Sequence, residues 1–400
     1  MRAAVFLTVW LDVLSAGILL PVISPLIFQS EALFSAEVGF GPRTMLLGWM
    51  GTMFCVGQFL GAPVLGAWSD RVGRRRAFIA TAAVATMGVA ATGLGFYVGS
   101  RAWVLTGRLI YGLGSGNAAI AYSALADISN PQTRSRDFGL VGAAYGLGFI
   151  LGPWLGGQLA GISVWAAFIL AAALHVFNIL FVAFLFRETL GVQPSPRPMS
   201  PFTGIRNVAF AFRHPRLRLL FVVVIGMQFG FAFFTQFFPM FLIRKFDYGP
   251  QNLGAIFGYM GFWMALTQGV VNRRVSYRTP PGRIVRIVLF AGAAALFSLT
   301  LPQTSTWIYA ALAATAFSQG LILPNLASLV SMQAGAEFQG EIMGVHQSCV
   351  SAAQVFPPLI AGIWAADNPD FPLWAAACAY VFAGLTFVST VYPALRPPAR

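Results

Sequence analysis

Twelve apolar runs, each about as long as a bilayer is thick, constrain this chain more than any other feature. They fall at about 3–26, 44–66, 77–98, 103–126, 138–160 and 164–186, and resume at 218–243, 251–271, 284–301, 306–330, 340–365 and 372–394. A hydrocarbon core about 30 Å thick takes ~20 helical residues. A helix satisfies all its backbone polar groups within the segment, as lipid requires. The expected fold class is therefore an all-α membrane protein with twelve transmembrane helices. Composition agrees: 58% of residues are hydrophobic and 9% charged, where soluble domains carry ~25% charged residues.

Between the sixth and seventh runs, 187–217 holds Pro194, Pro196, Pro198, Pro201 and several arginines. It reads as a cytoplasmic linker, with a surface helix around 203–213, between two six-helix bundles at 1–186 and 218–400. The net charge of +13 arises in loops between apolar runs, so the positive-inside rule explains it better than nucleic-acid binding does. Placing the first loop outside leaves only Arg43, Arg101, Arg244 and Lys245 there, with Arg108 inside a span. Both termini are then cytoplasmic. Cys55, Cys349 and Cys378 lie in apolar segments without metal-ligand spacing and read as core residues. The N-terminal run holds Asp12, Pro21 and Pro25 with no small-residue cleavage site, so no cleavable signal is expected.

The halves repeat. About 200 residues separate Gly152-Pro153-Trp154-Leu155-Gly156-Gly157 from Pro357-Pro358-Leu359-Ile360-Ala361-Gly362. A similar offset relates Gly66-x-x-x-Asp70-Arg71-Val72 to Gly269-x-x-x-Arg273-Arg274-Val275. Duplicated bundles of this length are expected to bind substrate between the halves, near the bilayer midplane.

The loop Gly66-Ala67-Trp68-Ser69-Asp70-Arg71-Val72-Gly73-Arg74-Arg75-Arg76 packs five charges into seven positions between two apolar runs. Such a segment must be a turn in water. Its order resembles the loop between helices 2 and 3 of the major facilitator superfamily, a family of secondary transporters. In the first span, Asp12-x-x-x-x-Gly17-Ile18-x-x-Pro21-Val22-x-x-Pro25 resembles helix 1 of the drug:proton antiporter branch, especially its tetracycline exporters. The two prolines are expected to break the outer end of that helix. An intramembrane carboxylate must be protonated, paired or facing water, and Asp12 is read as a cavity-facing group that exchanges a proton. A residue snorkelling to the cytoplasmic edge is the alternative.

Arg108 opens Arg108-x-x-x-Gly112-x-Gly114-x-Gly116 in the fourth span, and the resemblance associates an arginine here with proton coupling. Anchoring at the outer membrane edge is the simpler reading. In the fifth span, Gly148-x-x-x-Gly152-Pro153-x-x-Gly156-Gly157 resembles the motif characteristic of exporters in the superfamily. Its small residues permit close helix packing and its proline a kink, with generic helix packing as the alternative. Asp127 and Arg134 in the next cytoplasmic loop also look like tetracycline-exporter relatives. Gly66, Asp70, Arg71, Gly73, Arg74, Asp127, Arg134, Gly148, Gly152 and Pro153 are thus the conformational set. Asp70, Arg71, Asp127 and Arg134 are read as a charge latch favouring the outward-facing state, or else as solvated loop charges.

For substrate, the seventh span offers Gln228, Phe231, Phe234 and Gln236, an aromatic surface with hydrogen-bonding groups. Gln58, Asn117, Tyr122, Gln319 and Gln347 are further candidates, as are Asn325 and Gln354. Amides in spans also serve as interhelical links, and most phenylalanines face lipid or packing. His346 and His175 read as packing histidines more readily than as parts of a proton path, and Glu341 as a charge at a helix start.

The resemblance has a departure. Tetracycline exporters carry acidic residues in helices 3 and 9, whereas 77–98 and 284–301 hold no carboxylate. Neutral, zwitterionic or anionic substrates then fit better than a metal–tetracycline cation. The reading is a proton-coupled exporter of a small, mostly apolar organic compound, with one proton per cycle and alternating access. The alternative is an importer or facilitator of a small organic anion or a metal chelate such as a siderophore, with a non-transporting receptor or scaffold third. No enzyme pattern, metal site or cofactor is expected, protons being the coupling ion. The expected partners are a small-molecule substrate and the lipid bilayer, with no nucleic acid, in a monomer. A bacterial inner membrane fits the basic inner loops, and a eukaryotic organelle also fits.

Overall fold

The structure, a computed structural model, describes residues 1–129, 134–190, 202–213, 217–301, 304–333 and 339–394, with only the backbone at 134–136, 305, 339–341 and 394. The prolines of the linker lie outside the described residues, as do the side chains of Arg134 and Glu341. Among the described residues there is no β-strand. Ten helical stretches there are long and apolar enough to cross a membrane.

The first half holds α1 (Arg2–Phe28), α2 (Phe40–Val72), α3 (Arg74–Tyr97), α4 (Arg101–Gly114), α5 (Asn117–Ile128), α6 (Arg134–Ile162) and α7 (Val164–Leu185). The helix expected around 203–213 is α8 (Thr203–Arg213). There follow α9 (Arg218–Phe246), α10 (Pro250–Leu266), α11 (Asn272–Arg278), α12 (Pro281–Ser298), α13 (Ser305–Gln333), α14 (Gln339–Ala353), α15 (Phe356–Trp364) and α16 (Phe371–Thr386). A π-helical turn, Thr267–Val271, joins α10 to α11, and another, Phe387–Val391, follows α16.

Two predicted spans are split. The run at 103–126 becomes α4 and α5 because Gly114-Ser115-Gly116 interrupts it, with Ser115 Oγ donating to the Gly112 carbonyl at 2.7 Å. Glycine costs a helix about 1 kcal/mol relative to alanine, and serine competes for its carbonyls. The run at 340–365 becomes α14 and α15 because Pro357 and Pro358 supply no N–H and favour a helix start. In contrast, α1 does not break at Pro21 and Pro25 as expected; it runs through both. At its C-terminus Gln29 N–H makes the regular i+4 bond to the Pro25 carbonyl, while Ser30 Oγ donates to the Leu26 carbonyl and Arg43 Nη1 to that of Ile27.

The chain packs as two units. One comprises Met1–Thr203 with Asp247–Gly261, the other Gly204–Phe246 with Phe262–Arg400. In the first, a core of Val5, Val9, Phe78, Ile120, Leu125 and Val182 lies among α1, α3, α5 and α7. In the second, Phe234, Phe237, Phe238 and Phe241 of α9 are fully buried, together with Tyr380 of α16.

Candidate functional site

Helices α1 and α7 run antiparallel and are joined by three polar rungs. Asn178 Nδ2 donates to the Thr8 carbonyl at 3.0 Å, and Ser15 Oγ donates to the Ala171 carbonyl at 2.9 Å. Between them, Asp12 Oδ1 lies 3.7 Å from His175 Nδ1. The spacings 8, 12, 15 and 171, 175, 178 each return to one helix face, as 3.6 residues per turn demands. His175 is fully buried, while 14% of the Asp12 side chain is exposed. Neither ring nitrogen of His175 has a hydrogen-bond partner among the described residues.

Other helices of the first unit close around this rung. Asn117, at the start of α5, is buried and within electrostatic reach of Asp12, while its Oδ1 accepts from the Thr81 hydroxyl of α3. The Tyr111 ring of α4 meets the His175 ring edge-on, centroids 5.9 Å apart. Tyr145 of α6 is also within electrostatic reach of Asp12. Arg108, partly buried on α4, stands over the Phe54 ring at 4.9 Å and beside Tyr111 at 5.8 Å. A cation over aromatic faces is favourable where water is scarce. Asp12 and Arg108 are not ion-paired; a series of contacts through His175 and Tyr111 links them.

Glycine sets the position of Arg108. A Cβ on Gly107 would come within 2.5 Å of the Thr92 nitrogen, and one on Gly88 within 2.4 Å of the Tyr111 nitrogen. On the other flank, Gly57 and Gly61 each face a carbonyl of α4 at 2.4 Å by the same measure. Close backbone approach on both sides holds α4 between α2 and α3. The exporter-like motif works similarly on α6. Gly148, Gly152 and Gly156 meet Val13, Leu14, Gly17 and Ile18, the turns just beyond Asp12 on α1. Gly157 of the same motif meets Gly254 of α10, where Pro153 also offers its carbonyl.

At the α2–α3 turn, Arg74 rather than Arg71 is the centre. Arg74 donates to Asp70 at the end of α2 and to Asp127 at the end of α5, the latter at 3.0 Å, and its side chain is 5% exposed. Arg71 is exposed. Gly73, at φ +98°, is the left-handed joint between α2 and α3. Glu188, just past α7, went unnoticed in the sequence because it falls in the linker. Its carboxylate accepts from the Arg74 N–H at 2.8 Å and the Arg75 N–H at 3.1 Å, capping the otherwise unpaired start of α3. Partial burial pushes the Glu188 carboxyl up, but backbone N–H donors from Leu190, Arg74, Arg75 and Thr189 outweigh it and hold it below the usual range. The sequence signal for this residue was a lone acid among basic ones directly after a span. The network thus joins α2, α3, α5 and the end of α7 within one unit.

The substrate candidates disperse. In the first unit, Gln58 is partly buried on α2 and Tyr122 is 40% exposed beside Phe138. In the second, Gln228 and Phe234 are buried on α9, Phe231 and Gln236 partly so, and Gln347 is exposed. Gln319 donates to the buried Tyr380 hydroxyl, and Asn325 bonds Asn272 Oδ1 at 2.7 Å, so both act as interhelical links. His346 is partly buried on α14.

The model of the Major Facilitator Superfamily matches residues 5–358. The class C tetracycline resistance protein of Escherichia coli is 30% identical over 392 residues, covering 97% of this chain and 94% of the relative. Multidrug resistance protein 2 of Bacillus subtilis (strain 168) is 26% identical, with 86% of each chain covered. Among solved structures, the human organic anion transporter MFSD10 superposes with a TM-score of 0.74 at 23% identity, covering 96% of this chain and 98% of that one.

Proposed function

The chain belongs to the major facilitator superfamily, and from that premise we propose a proton-coupled exporter of small organic compounds. It is an integral, multi-pass membrane transporter of a small-molecule substrate and not an enzyme. In the proposed cycle, Asp12 takes a proton from outside and releases it inside, and its charge biases alternation between outward- and inward-facing states. The observation that carries this is the partly exposed Asp12 carboxyl, seated beside His175 on a helix packed against the glycines of the exporter-like motif. Likeness to tetracycline and multidrug resistance proteins supports export of a drug-like or metabolite substrate. A bacterial inner membrane and a monomer complete the proposal.

One observation favours a second reading, uptake of an organic anion. Arg108 keeps its charge over two rings with no ion-pair partner among the described residues, a posture suited to an anionic ligand. Proteoliposomes with an imposed pH gradient distinguish the two, using tetracycline and fluorescein as probes. Export requires substrate to move against the proton gradient, with Asp12→Asn abolishing the coupling. Substrate accumulating in the same direction as protons rejects it in favour of import.

A further inference from the structure

The sequence suggested a lone proton-carrying carboxyl, but the structure places a second titratable group beside it. His175 sits at the middle rung of the α1–α7 ladder, its Nδ1 3.7 Å from Asp12 Oδ1. The rungs above and below, Thr8–Asn178 and Ser15–Ala171, fix the register of the two helices on both sides. Among the described residues no other group binds the His175 nitrogens: both are buried and without a hydrogen-bond partner, and Tyr111 meets the ring edge-on.

The geometry points to Asp12 and His175 as one two-seat proton site, the transported proton passing between them once the 3.7 Å separation closes to hydrogen-bond distance. This rests on the proton-coupled reading above. With Asp12 ionised and His175 neutral, the pair carries one negative charge. One added proton brings it to neutrality, either as aspartic acid beside neutral imidazole or as carboxylate beside imidazolium. Passing between these forms breaks the imidazolium N–H bond and makes a carboxyl O–H bond, leaving the pair's total charge unchanged. The loaded site thus has no net charge in either arrangement, which lowers the cost of holding a proton away from water.

The titratable and charged groups that face the pair are Tyr111 and, beyond it, Arg108 from α4, and Tyr145 from α6. From α2, Cys55 acts on Arg108. Asn117 of α5 and Thr81 of α3 contribute polar groups without a titrating proton. His175 is the group whose ring nitrogen lies within ion-pair distance of Asp12.

The chain has only three histidines, His175, His214 and His346, so nitrogen-labelled histidine reports each separately. The full-length protein in liposomes is titrated by solid-state NMR, with His214→Asn and His346→Asn assigning the signals. The proposal expects Asp12→Asn to move the His175 midpoint by about one pH unit, as charges at this separation do, and to leave the other two in place. Coupling is reciprocal, so His175→Asn should move the infrared carboxyl band of Asp12 in its own titration by a similar amount. The second measurement stands in if Asp12→Asn does not fold. A folded variant in which neither midpoint moves overturns the shared site. The flux assay reads a different quantity: proton-driven exchange without coupled midpoints defeats this inference alone, while coupled midpoints without exchange defeat the exporter.

Discussion

Glycine does different work in the two units. In the first, glycines meet backbone: Gly107 the Thr92 nitrogen, Gly88 the Tyr111 nitrogen, Gly57 and Gly61 carbonyls of α4. In the second, Gly292 and Gly384 meet rings, while Gly230 meets the Ala376 carbonyl and Gly320 the Thr267 side chain. A Cβ on Gly292 would lie 3.2 Å from the Tyr380 ring, and one on Gly384 would touch Phe290 at 2.9 Å. Backbone contact draws helices together and fixes them, because nothing at the contact can rotate away. Ring contact leaves a side chain that can give. The difference teaches where rigidity is placed: Asp12 and Arg108 sit on α1 and α4, which glycines draw against neighbouring backbone. The second unit fills its core with phenylalanine.

The corresponding charged turns differ in the same sense. Asp70, Arg74, Asp127 and Glu188 form a network in the first unit. The repeat in the second has Arg273 at the place of Asp70, and Arg273 and Arg274 are exposed.

The largest test of this contrast is one methyl group placed in each kind of contact. Gly107→Ala should abolish recovery of folded protein, since α3 and α4 must separate; Gly292→Ala should lower stability by only about 1 kcal/mol, as overpacking a movable ring does. Monodisperse yield and thermal unfolding of both variants decide it, and equal losses would break the comparison. Next comes Phe238→Ala, expected to cost about 3 kcal/mol through the cavity left beside Phe234, whose ring centroid is 4.8 Å away. Denaturation of the purified variant measures that loss, and a small loss would mean the aromatic packing is loose. Tyr380→Phe keeps the ring and removes the hydroxyl that accepts from Gln319; about 1 kcal/mol should go, visible as a shift of a few degrees in Tm.

The smallest effect is local and depends on pH. Because the folded Glu188 carboxyl is held below its usual range, its cap on α3 is complete above that range and weakens as pH falls through and beneath it. Hydrogen exchange at the Arg74 and Arg75 amides, corrected for the intrinsic rate, should then lose protection on acidification. Glu188→Gln should remove that pH dependence. Protection that stays level with pH in the native protein would detach Glu188 from the network.

Much of the fold was legible because lipid demands long apolar helices, and run lengths are additive along the chain. Two spans escaped because a run's mean polarity does not register where Gly114-Ser115-Gly116 or Pro357-Pro358 interrupts hydrogen bonding. Pro21 and Pro25 erred the other way, since α1 runs through both and is packed closely against the glycines of α6 on the same turns. At the candidate site, Asp12 and Arg108 stood out as charges in apolar runs, and the glycine motifs by their spacing. His175 did not, for a histidine in a span has no signature until its neighbour is known. Glu188 hid in a loop for the same reason.

The sequence by itself determined that the chain lives in a bilayer and that Asp12 and Arg108 lie within apolar runs. Those follow from the free energy of placing each residue in lipid, a property summed locally. The tertiary structure decided partnership: His175 beside Asp12, Arg74 between two aspartates, Gln319 on Tyr380. Such pairs join residues far apart in the chain, and only the register of packed helices brings their side chains together.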